Sequence, residues 1–299
     1  MVGCLPMLKA TAQFDPMFTQ YMFNELFINP AYAGSRECLS VTGLAREQWI
    51  GLDGAPSTQT LSIHAPVFNQ KMGIGLSLLN EGIGVSKRTG VNLNGSYRIK
   101  MDRSWLSFGL QLGVVSVSED LAKLNLQTDN QFMLNTGRKM APNLGFGAYY
   151  NAPKWYLGLS IPRMIQNHLS TSSGGATVEN NFNPTDFHYF LTAGSIHALG
   201  SSVTLRPNVM VKAVSGAPVQ LDLSANLLFN DFIWAGLAYR TGDAASIFVG
   251  AYFTKQLRFG YAYDYTLSAL QDFNTGSHEL MLGYDFNYDK EKINTPRHF

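Results

Sequence analysis

The stretch VNLNGSYRIK at positions 91–100 alternates between apolar or small side chains and polar ones. Successive side chains of an extended chain point to opposite sides, so Val91, Leu93, Tyr97 and Ile99 share one face. The asparagines, serine, arginine and lysine of the stretch share the other face. This alternation predicts a β-strand with one apolar and one polar face. The strand would be longer than the roughly five or six residues that are usual in soluble sheets.

The same alternation recurs along the chain and predicts about fourteen strands. A tilted strand needs about 9–11 residues to cross the hydrocarbon of a membrane, and most of the segments have at least about that length. An open sheet edge leaves backbone groups unpaired in lipid, so the sheet has to close. We therefore predict an all-β fold, an antiparallel up-and-down transmembrane β-barrel. The predicted strands are 38–46, 57–65, 71–80, 88–100, 104–117, 142–151, 154–162, 186–199, 201–213, 218–229, 231–240, 245–254, 256–266 and 277–287.

Composition agrees with a membrane barrel. Only 14% of the 299 residues are charged, whereas 45% are hydrophobic, and a soluble domain has about 25% charged residues. No run of 18 apolar residues exists, which argues against a transmembrane helix. The net charge of +1 gives no broad attraction for nucleic acid. A secreted soluble β-sandwich is the alternative fold.

The lengths of the connections predict an orientation. Short turns follow every second predicted strand, as at 101–103 and 151–154, and the intervening connections include the long ones. Bacterial barrels have short periplasmic turns and longer outer loops, so both chain ends are expected in the periplasm and the barrel in the outer membrane. The long connections are predicted at 47–56, 81–87, 118–141, 163–185 and 267–276.

The strand faces and the strand ends make further predictions. Leu221 is expected to face lipid and Asn226 to face the lumen, and strand glycines suit bends and crowded lumen contacts. Charged residues on the polar faces are expected to be paired or solvated in the lumen. They are Asp222, Asp264, Glu279, Asp285, Arg98, Arg206, Arg240 and Arg258. Aromatic residues near strand ends are expected to form girdles at the headgroups. These are Tyr97, Trp105, Tyr149, Tyr150, Trp155, Tyr156, Trp234, Tyr239, Tyr252 and Tyr288.

The chain is expected to have four parts. Residues 1–12 resemble the remnant of a signal peptide whose start lies upstream, because Ala10-Thr11-Ala12 has the small-x-small form of a cleavage site; a flexible N-terminus is the alternative. Residues 13–37 are expected to contain a short amphipathic helix at 19–28 that plugs the lumen or lies at the periplasmic mouth, and a lead-in to the first strand is the alternative. The barrel takes 38–287, and 288–299 is a polar periplasmic tail.

Motifs for chemistry are absent from the sequence. There is no G-x-S-x-G, no phosphate-binding glycine loop and no H-E-x-x-H. The six histidines are scattered, which predicts no metal site. The two cysteines, Cys4 and Cys38, do not form a disulfide framework. We therefore expect neither catalysis nor a cofactor.

Two blocks near the N-terminus resemble the PorP/SprF family. The first comprises FDP at 14–16, FTQYMFN at 18–24 and NPAYAGS at 29–35. The second comprises REQW at 46–49, GAP at 54–56, TQT at 58–60 and HAP at 64–66. The rest of the chain agrees with the family in strand pattern, length and aromatic content. Many outer-membrane barrels end at a strand whose last residue is aromatic, whereas here a polar tail follows the last predicted strand.

The resemblance implies an outer-membrane component of the type IX secretion system of Bacteroidetes, acting in secretion, cell-surface attachment or gliding. The implied partners are outer-membrane lipid, proteins of the periplasmic ring and the C-terminal domain of a secreted cargo. The matching residues are candidates for a structural or docking role, and a fold signature of the first hairpin is the alternative. They are Asp15, Asn29, Pro30, Tyr32, Arg46, Gln48, Trp49, Pro56 and His64.

Two other functions remain open at this point. Polar faces rich in serine, asparagine and threonine permit a wet lumen, so a general porin or solute channel is the alternative function. An outer-membrane enzyme would need a nucleophile and a base together at one rim, and the sequence pattern singles out none.

Overall fold

The computed structural model describes residues 16–120, 137–172 and 175–286. The predicted leader at 1–12, Asp15 and the tail at 288–299 lie outside the described residues. The described strands are β1 (Leu39–Glu47), β2 (Ser57–Val67), β3 (Met72–Ile83), β4 (Ser86–Met101), β5 (Ser104–Glu119), β6 (Lys139–Asn151), β7 (Trp155–Ile161), β8 (Gln166–Ser172), β9 (Gly175–Asn181), β10 (Tyr189–Ser195), β11 (His197–Ala198), β12 (Val203–Ala213), β13 (Gln220–Phe229), β14 (Ile233–Arg240), β15 (Ala244–Tyr252), β16 (Leu257–Thr266) and β17 (Ser277–Phe286).

Fourteen of these strands close into one antiparallel barrel. They are β1–β7, β10 and β12–β17, each paired with its neighbour along the chain. The barrel closes where β1 pairs with β17, with Leu39 opposite Phe286. Between β7 and β12, the strand β10 completes the wall, and β11 is a two-residue extension along β12. The predicted antiparallel barrel and its strand count are confirmed.

The helical elements in the described residues are short. One α-helix, α1, covers Glu25–Ile28, and single 3-10 turns cover Tyr21–Phe23, Pro30–Tyr32, Pro184–Asp186 and Gln271–Phe273. In the described part of the chain, no helix has the length and apolarity needed to span a membrane.

The strand faces follow the predicted alternation. In β16, Arg258 and Asp264 are 1% exposed, whereas Phe259 and Tyr265 are 37% and 48% exposed. In β13, Asn226 is buried inside and Leu221 lies on the opposite face. Apolar side chains therefore cover the outer wall, and most inward positions are polar, which is the distribution that a barrel in lipid requires.

The two ends of the barrel differ in their connections. The short-turn end has the turns 68–71, 102–103, 152–154, 199–202, 230–232 and 253–256, together with the start of β1 and the end of β17. The other end, called the long-loop end, has the connections 48–56, 120–138, 162–188 and 267–276. The predicted connection at 81–87 is wrong in length, because β3 and β4 extend until only Gly84 and Val85 link them. The predicted loop at 163–185 contains the hairpin β8–β9.

Part of the predicted aromatic girdle is wrong. Tyr97, Trp155 and Tyr239 lie on the outer face and are about half exposed, as expected. Tyr149 and Tyr156 are 1% exposed and face inward, and Trp234 is fully buried. Trp105 and Tyr252 are partly buried, and they also occupy inward positions, where they contact inward-facing neighbours. The position of an aromatic residue along a strand fixes its depth, whereas its parity fixes its side. The positions near strand ends were therefore insufficient to predict a girdle.

The depth of an outward position should decide the cost of a charge. Leu237 and Ile233 both face outward on β14, but Ile233 begins the strand at the short-turn end and Leu237 lies four residues deeper. We expect Leu237→Arg to lower the free energy of unfolding by about 2–4 kcal/mol and Ile233→Arg by about 0–1 kcal/mol. Urea titration of the folded band in micelles measures both. Equal costs would contradict the assigned lipid face.

Candidate functional site: the filled lumen and its mouth

Residues 17–35, called the inner segment, lie inside the barrel. The segment contacts the wall near the long-loop end through Thr19 and near the short-turn end through Gly34. Its apolar side chains pack against inward-facing apolar side chains of the wall. The segment contributes Phe18, Tyr21, Met22, Phe23 and Ile28, and the wall contributes Leu44, Phe190, Met210, Leu228, Trp234, Phe248 and Met281. The lumen therefore contains a hydrophobic core.

Two buried carboxylates hold the start of the inner segment. The backbone N–H groups of Thr19 and Gln20 donate to Glu279 at 2.9 and 2.8 Å, and the Thr19 hydroxyl donates to Asp264 at 2.7 Å. Arg46 forms ion pairs with Asp264 at 2.6 Å and with Glu279 at 3.1 Å. All three charged side chains are at most 2% exposed. We call Arg46, Asp264 and Glu279 the acid clamp, because buried charges persist only when they are paired and hydrogen-bonded.

Other predicted lumen charges are also paired. Arg240 lies 2.9 Å from Asp222, and Arg258 lies 2.8 Å from Asp285. Asp285 also forms an ion pair at 3.0 Å with Arg36, a residue of the short link between the inner segment and β1. Of the predicted set, Arg206 lines the mouth cavity described below. The predicted lumen network is present and, through Arg36, extends to the link that follows the inner segment.

Glycines of the wall make room for the inner segment. A Cβ atom on Gly109 would lie 2.2 Å from the backbone nitrogen of Ala31, and one on Gly147 would lie 2.0 Å from the Asn29 side chain. Contacts this short are impossible, so a side chain at either position would displace the segment. Gly73 and Gly260 make similar approaches to the segment. The crowded lumen contacts predicted for strand glycines are thus explained by an occupant that lies against them.

The NPAYAG motif fits this glycine-lined surface. The Asn29 side chain accepts a hydrogen bond from the Ala31 N–H and donates one to the Ala148 carbonyl, both at 3.0 Å. The Gly34 N–H donates to His64 Nδ1 at 3.0 Å, and the Gly34 carbonyl accepts from Arg98 at 2.8 Å. Gly34 has φ +74°, and a Cβ there would approach the Gly73 Cα to 2.9 Å. The motif therefore encodes a turn held against the wall.

The structure brings most of the candidate docking residues together. Asn29, Pro30, Tyr32, Arg46 and His64 are all buried inside the barrel. The ring centroid of Tyr32 lies 5.3 Å from that of His64 and 5.3 Å from that of Tyr149, in edge contacts. These five residues connect the inner segment to the wall, which favours a structural role over a docking role.

The remaining candidates lie in the connection between β1 and β2. The Gln48 N–H donates to the Pro56 carbonyl at 2.9 Å, and the Trp49 N–H donates to the Ser277 hydroxyl at 3.1 Å. Trp49 has φ +46°, in the left-handed region that few non-glycine residues adopt. The bond from Trp49 to Ser277 joins the connection to the start of β17, at the long-loop end of the seam where β1 pairs with β17.

The inward-facing apolar residues were missed by the sequence analysis. Leu44, Met210, Phe248 and Met281 occupy inward positions whose strand neighbours on that face are polar, such as Glu279 beside Met281. The signal was present in the sequence, because a water-filled lumen gives no reason for large apolar side chains on the polar face. These interruptions of the alternation mark the positions that the inner segment covers.

Glu25 in α1 is a buried carboxyl group. It is 1% exposed, and the Thr192 hydroxyl donates to it at 3.5 Å. Burial raises the pKa of Glu25 from its ordinary value of 4.5 to about 8, although hydrogen bonds with Tyr156 and Thr192 oppose the shift. Burial therefore favours the protonated form of Glu25 inside the lumen.

A cavity of about 440 Å³ lies at the short-turn end, and we call it the mouth cavity. Four cationic side chains line it, from Arg36, Arg103, Lys154 and Arg206, together with the carboxylates of Glu37 and Asp231. Rings of Trp105, Tyr32 and Tyr149 form part of its wall. Elsewhere, within the residues that the structure describes, no group of three or more His, Cys, Asp or Glu is arranged to hold a metal ion.

A methyl group on the glycine-lined surface should be costly. Gly109 faces the inner segment, whereas Gly95 on the adjacent strand has nothing within 4 Å of the position of a Cβ atom. We expect Gly109→Ala to lower the free energy of unfolding by about 1–3 kcal/mol because of overpacking. Gly95→Ala, the matched control, should be neutral. Heat-dependent gel mobility gives both midpoints, and equal midpoints would argue against a packed inner segment.

Protonation of Glu25 should make stability depend on pH. Between pH 4.5 and 8 the unfolded carboxyl group loses its proton while the folded one keeps it. Stability therefore falls as the pH rises through this interval, by at most about 1.4 kcal/mol for each pH unit. Glu25→Gln should flatten this decline when unfolding midpoints at pH 5 and pH 8 are compared. An unchanged slope in the variant would show that Glu25 is ionised in the folded protein.

Comparison with known proteins supports the barrel and identifies a family. The family described as type IX secretion system membrane protein PorP/SprF matches residues 10–284. No protein of curated function matches the sequence. The toluene transporter TbuX of Ralstonia pickettii is similar in structure, with a TM-score of 0.50, 10% identity, and coverage of 88% of this chain and 93% of that one. The outer membrane protein Omp33 of Acinetobacter baumannii has a TM-score of 0.49 and 8% sequence identity, and the match covers 84% of this chain and 98% of that one.

Proposed function

The chain belongs to the PorP/SprF family of type IX secretion system membrane proteins, and from this premise we propose that it acts in the outer membrane through protein contacts. In this proposal the barrel is not an enzyme and not a solute channel. It takes part in secretion, cell-surface attachment or gliding by binding proteins of the periplasmic ring or the C-terminal domain of a cargo.

The filled lumen is the observation that carries this proposal. The inner segment contacts strands around the whole barrel, from Glu279 in β17 to Ser96 in β4 and Thr192 in β10. The space in which a porin conducts solute is occupied by a core of aromatic and aliphatic side chains. A barrel filled in this way serves as a rigid platform with two faces. In this proposal the inner segment is a plug, which is one of the roles expected for residues 13–37.

The orientation follows from the loop lengths. The short turns, the start of β1 and the end of β17 all lie at the same end of the barrel. Bacterial barrels place such turns in the periplasm. We therefore assign the short-turn end, with the start of β1 and the end of β17, to the periplasm. The long-loop end, including Trp49 and the hairpin β8–β9, then faces the exterior.

Deletion and capture test the proposed function together. Deleting the gene should abolish surface delivery of at least one cargo, and wild-type protein should restore it. Tagged protein extracted in mild detergent should capture secretion-system proteins identified by mass spectrometry. The Gly95→Ala variant is the matched control and should behave as wild type. Normal secretion in the deletion strain, with no secretion-system protein captured, would overturn the proposal.

A further inference from the structure

We infer that the mouth cavity binds an acidic polypeptide segment of a partner on the short-turn side. The inference rests on the proposed function, because that function supplies a protein partner in the periplasm. The cavity is a concave site beside the inner segment, with four cationic side chains against two carboxylates in its lining. An excess of positive charge in a concave site attracts acidic groups from solution.

The cationic side chains of the cavity differ in whether they already form ion pairs within the chain. Arg36 is 7% exposed and is paired with Asp285 at 3.0 Å. Arg103 and Lys154 are exposed at the entrance, and among the described residues no carboxylate lies within 4 Å of either. These two side chains are therefore placed to form ion pairs with an incoming acidic segment. Lys100 extends the positive charge along the same entrance, 5.9 Å above the ring of Trp105.

The aromatic wall argues for a polypeptide over a small anion. Trp105 is part of the lining, and the guanidinium of Arg98 packs over its ring, 4.5 Å from the ring centroid. Tyr32 and Tyr149 continue the apolar surface toward the lumen. A cavity of about 440 Å³ leaves room for side chains of a polypeptide segment. Cations at the entrance and rings behind them suit a segment that alternates acidic and apolar residues.

The surrounding turns carry a second, independent feature. Four of the six short turns carry a large exposed apolar side chain at the end of the barrel where the cavity opens. They are Phe68 at 75% exposure, Leu199 at 60%, Phe232 at 47% and Phe253 at 60%. Trp105 shares the inward parity of Ser107 and Gly109, so the cavity opens to the lumen side and away from lipid. This position favours a protein segment over a lipid headgroup.

Binding of a defined peptide tests the site. The probe is a fluorescein-labelled twelve-residue peptide of Glu and Asp with two Leu residues, and the control peptide replaces the acids with Gln and Asn. The protein is the full chain in detergent, and fluorescence anisotropy gives the affinity. Only the acidic peptide should bind, and binding should weaken as salt rises above about 0.15 M because charges are screened.

Charge reversal locates the site. The double variant Arg103→Glu and Lys154→Glu should lower the affinity about tenfold, since two exposed ion pairs are replaced by repulsion. The matched control, Lys71→Glu and Lys255→Glu, makes the same change of charge at exposed positions outside the cavity. It should lower the affinity less than about threefold. Equal losses would mean general attraction to a basic end and would overturn the inference.

Two further outcomes separate this inference from the proposed function. Displacement of the peptide by dihexanoyl-phosphatidylglycerol below its micellar concentration would assign the cavity to lipid phosphates and overturn the inference. Capture of secretion-system proteins from membranes is then compared between wild type and the Arg103→Glu, Lys154→Glu variant. Reduced capture by the variant supports the inference. Equal capture overturns it while the proposed function stands, and a complete absence of capture by wild type counts against the function itself.

Discussion

Glu279 binds two successive backbone N–H groups of the inner segment and the guanidinium of Arg46, and the rest of the lumen depends on this arrangement. A carboxylate that is fully buried needs such partners, because an unpaired buried charge costs several kcal/mol. Arg46 extends the arrangement to Asp264, which also accepts from the Thr19 hydroxyl. The clamp thus joins β1, β16 and β17 at the barrel closure to the start of the inner segment. Apolar packing and the glycine-lined surface then fix the rest of the segment as far as Gly34.

This arrangement explains why the N-terminal motifs contain the residues that they do. The Asn29 side chain accepts a hydrogen bond from Ala31 and so holds its turn. Gly34 has no side chain, which allows its turn to lie close to the wall. Arg46 and His64, from the second block, supply the partners on the wall side. The two blocks are therefore two halves of one contact, formed between the occupant of the lumen and the strands β1 and β2. Their spacing in sequence reflects a hairpin that folds back on the segment preceding it.

Much of the fold was predictable because alternation is a local signal. Lipid on one side and a polar lumen on the other impose a period of two on every strand, so strand bounds and faces follow from residues such as Phe259 and Arg258. The hairpin β8–β9 was missed because its residues show no such period. The acid clamp was only half predictable. Asp264 and Glu279 were recognised as lumen charges, but their pairing with Arg46 and Thr19 depends on contacts between residues more than 200 positions apart.

The central claim is that the inner segment closes the lumen to solute, and conductance in planar lipid bilayers tests it most directly. Purified protein, inserted from detergent and measured at neutral pH, should give no steady current above that of the bare membrane, because the apolar core around Phe23 and Trp234 occupies the lumen. A large, steady current from the wild-type protein would contradict this account and would favour a solute channel.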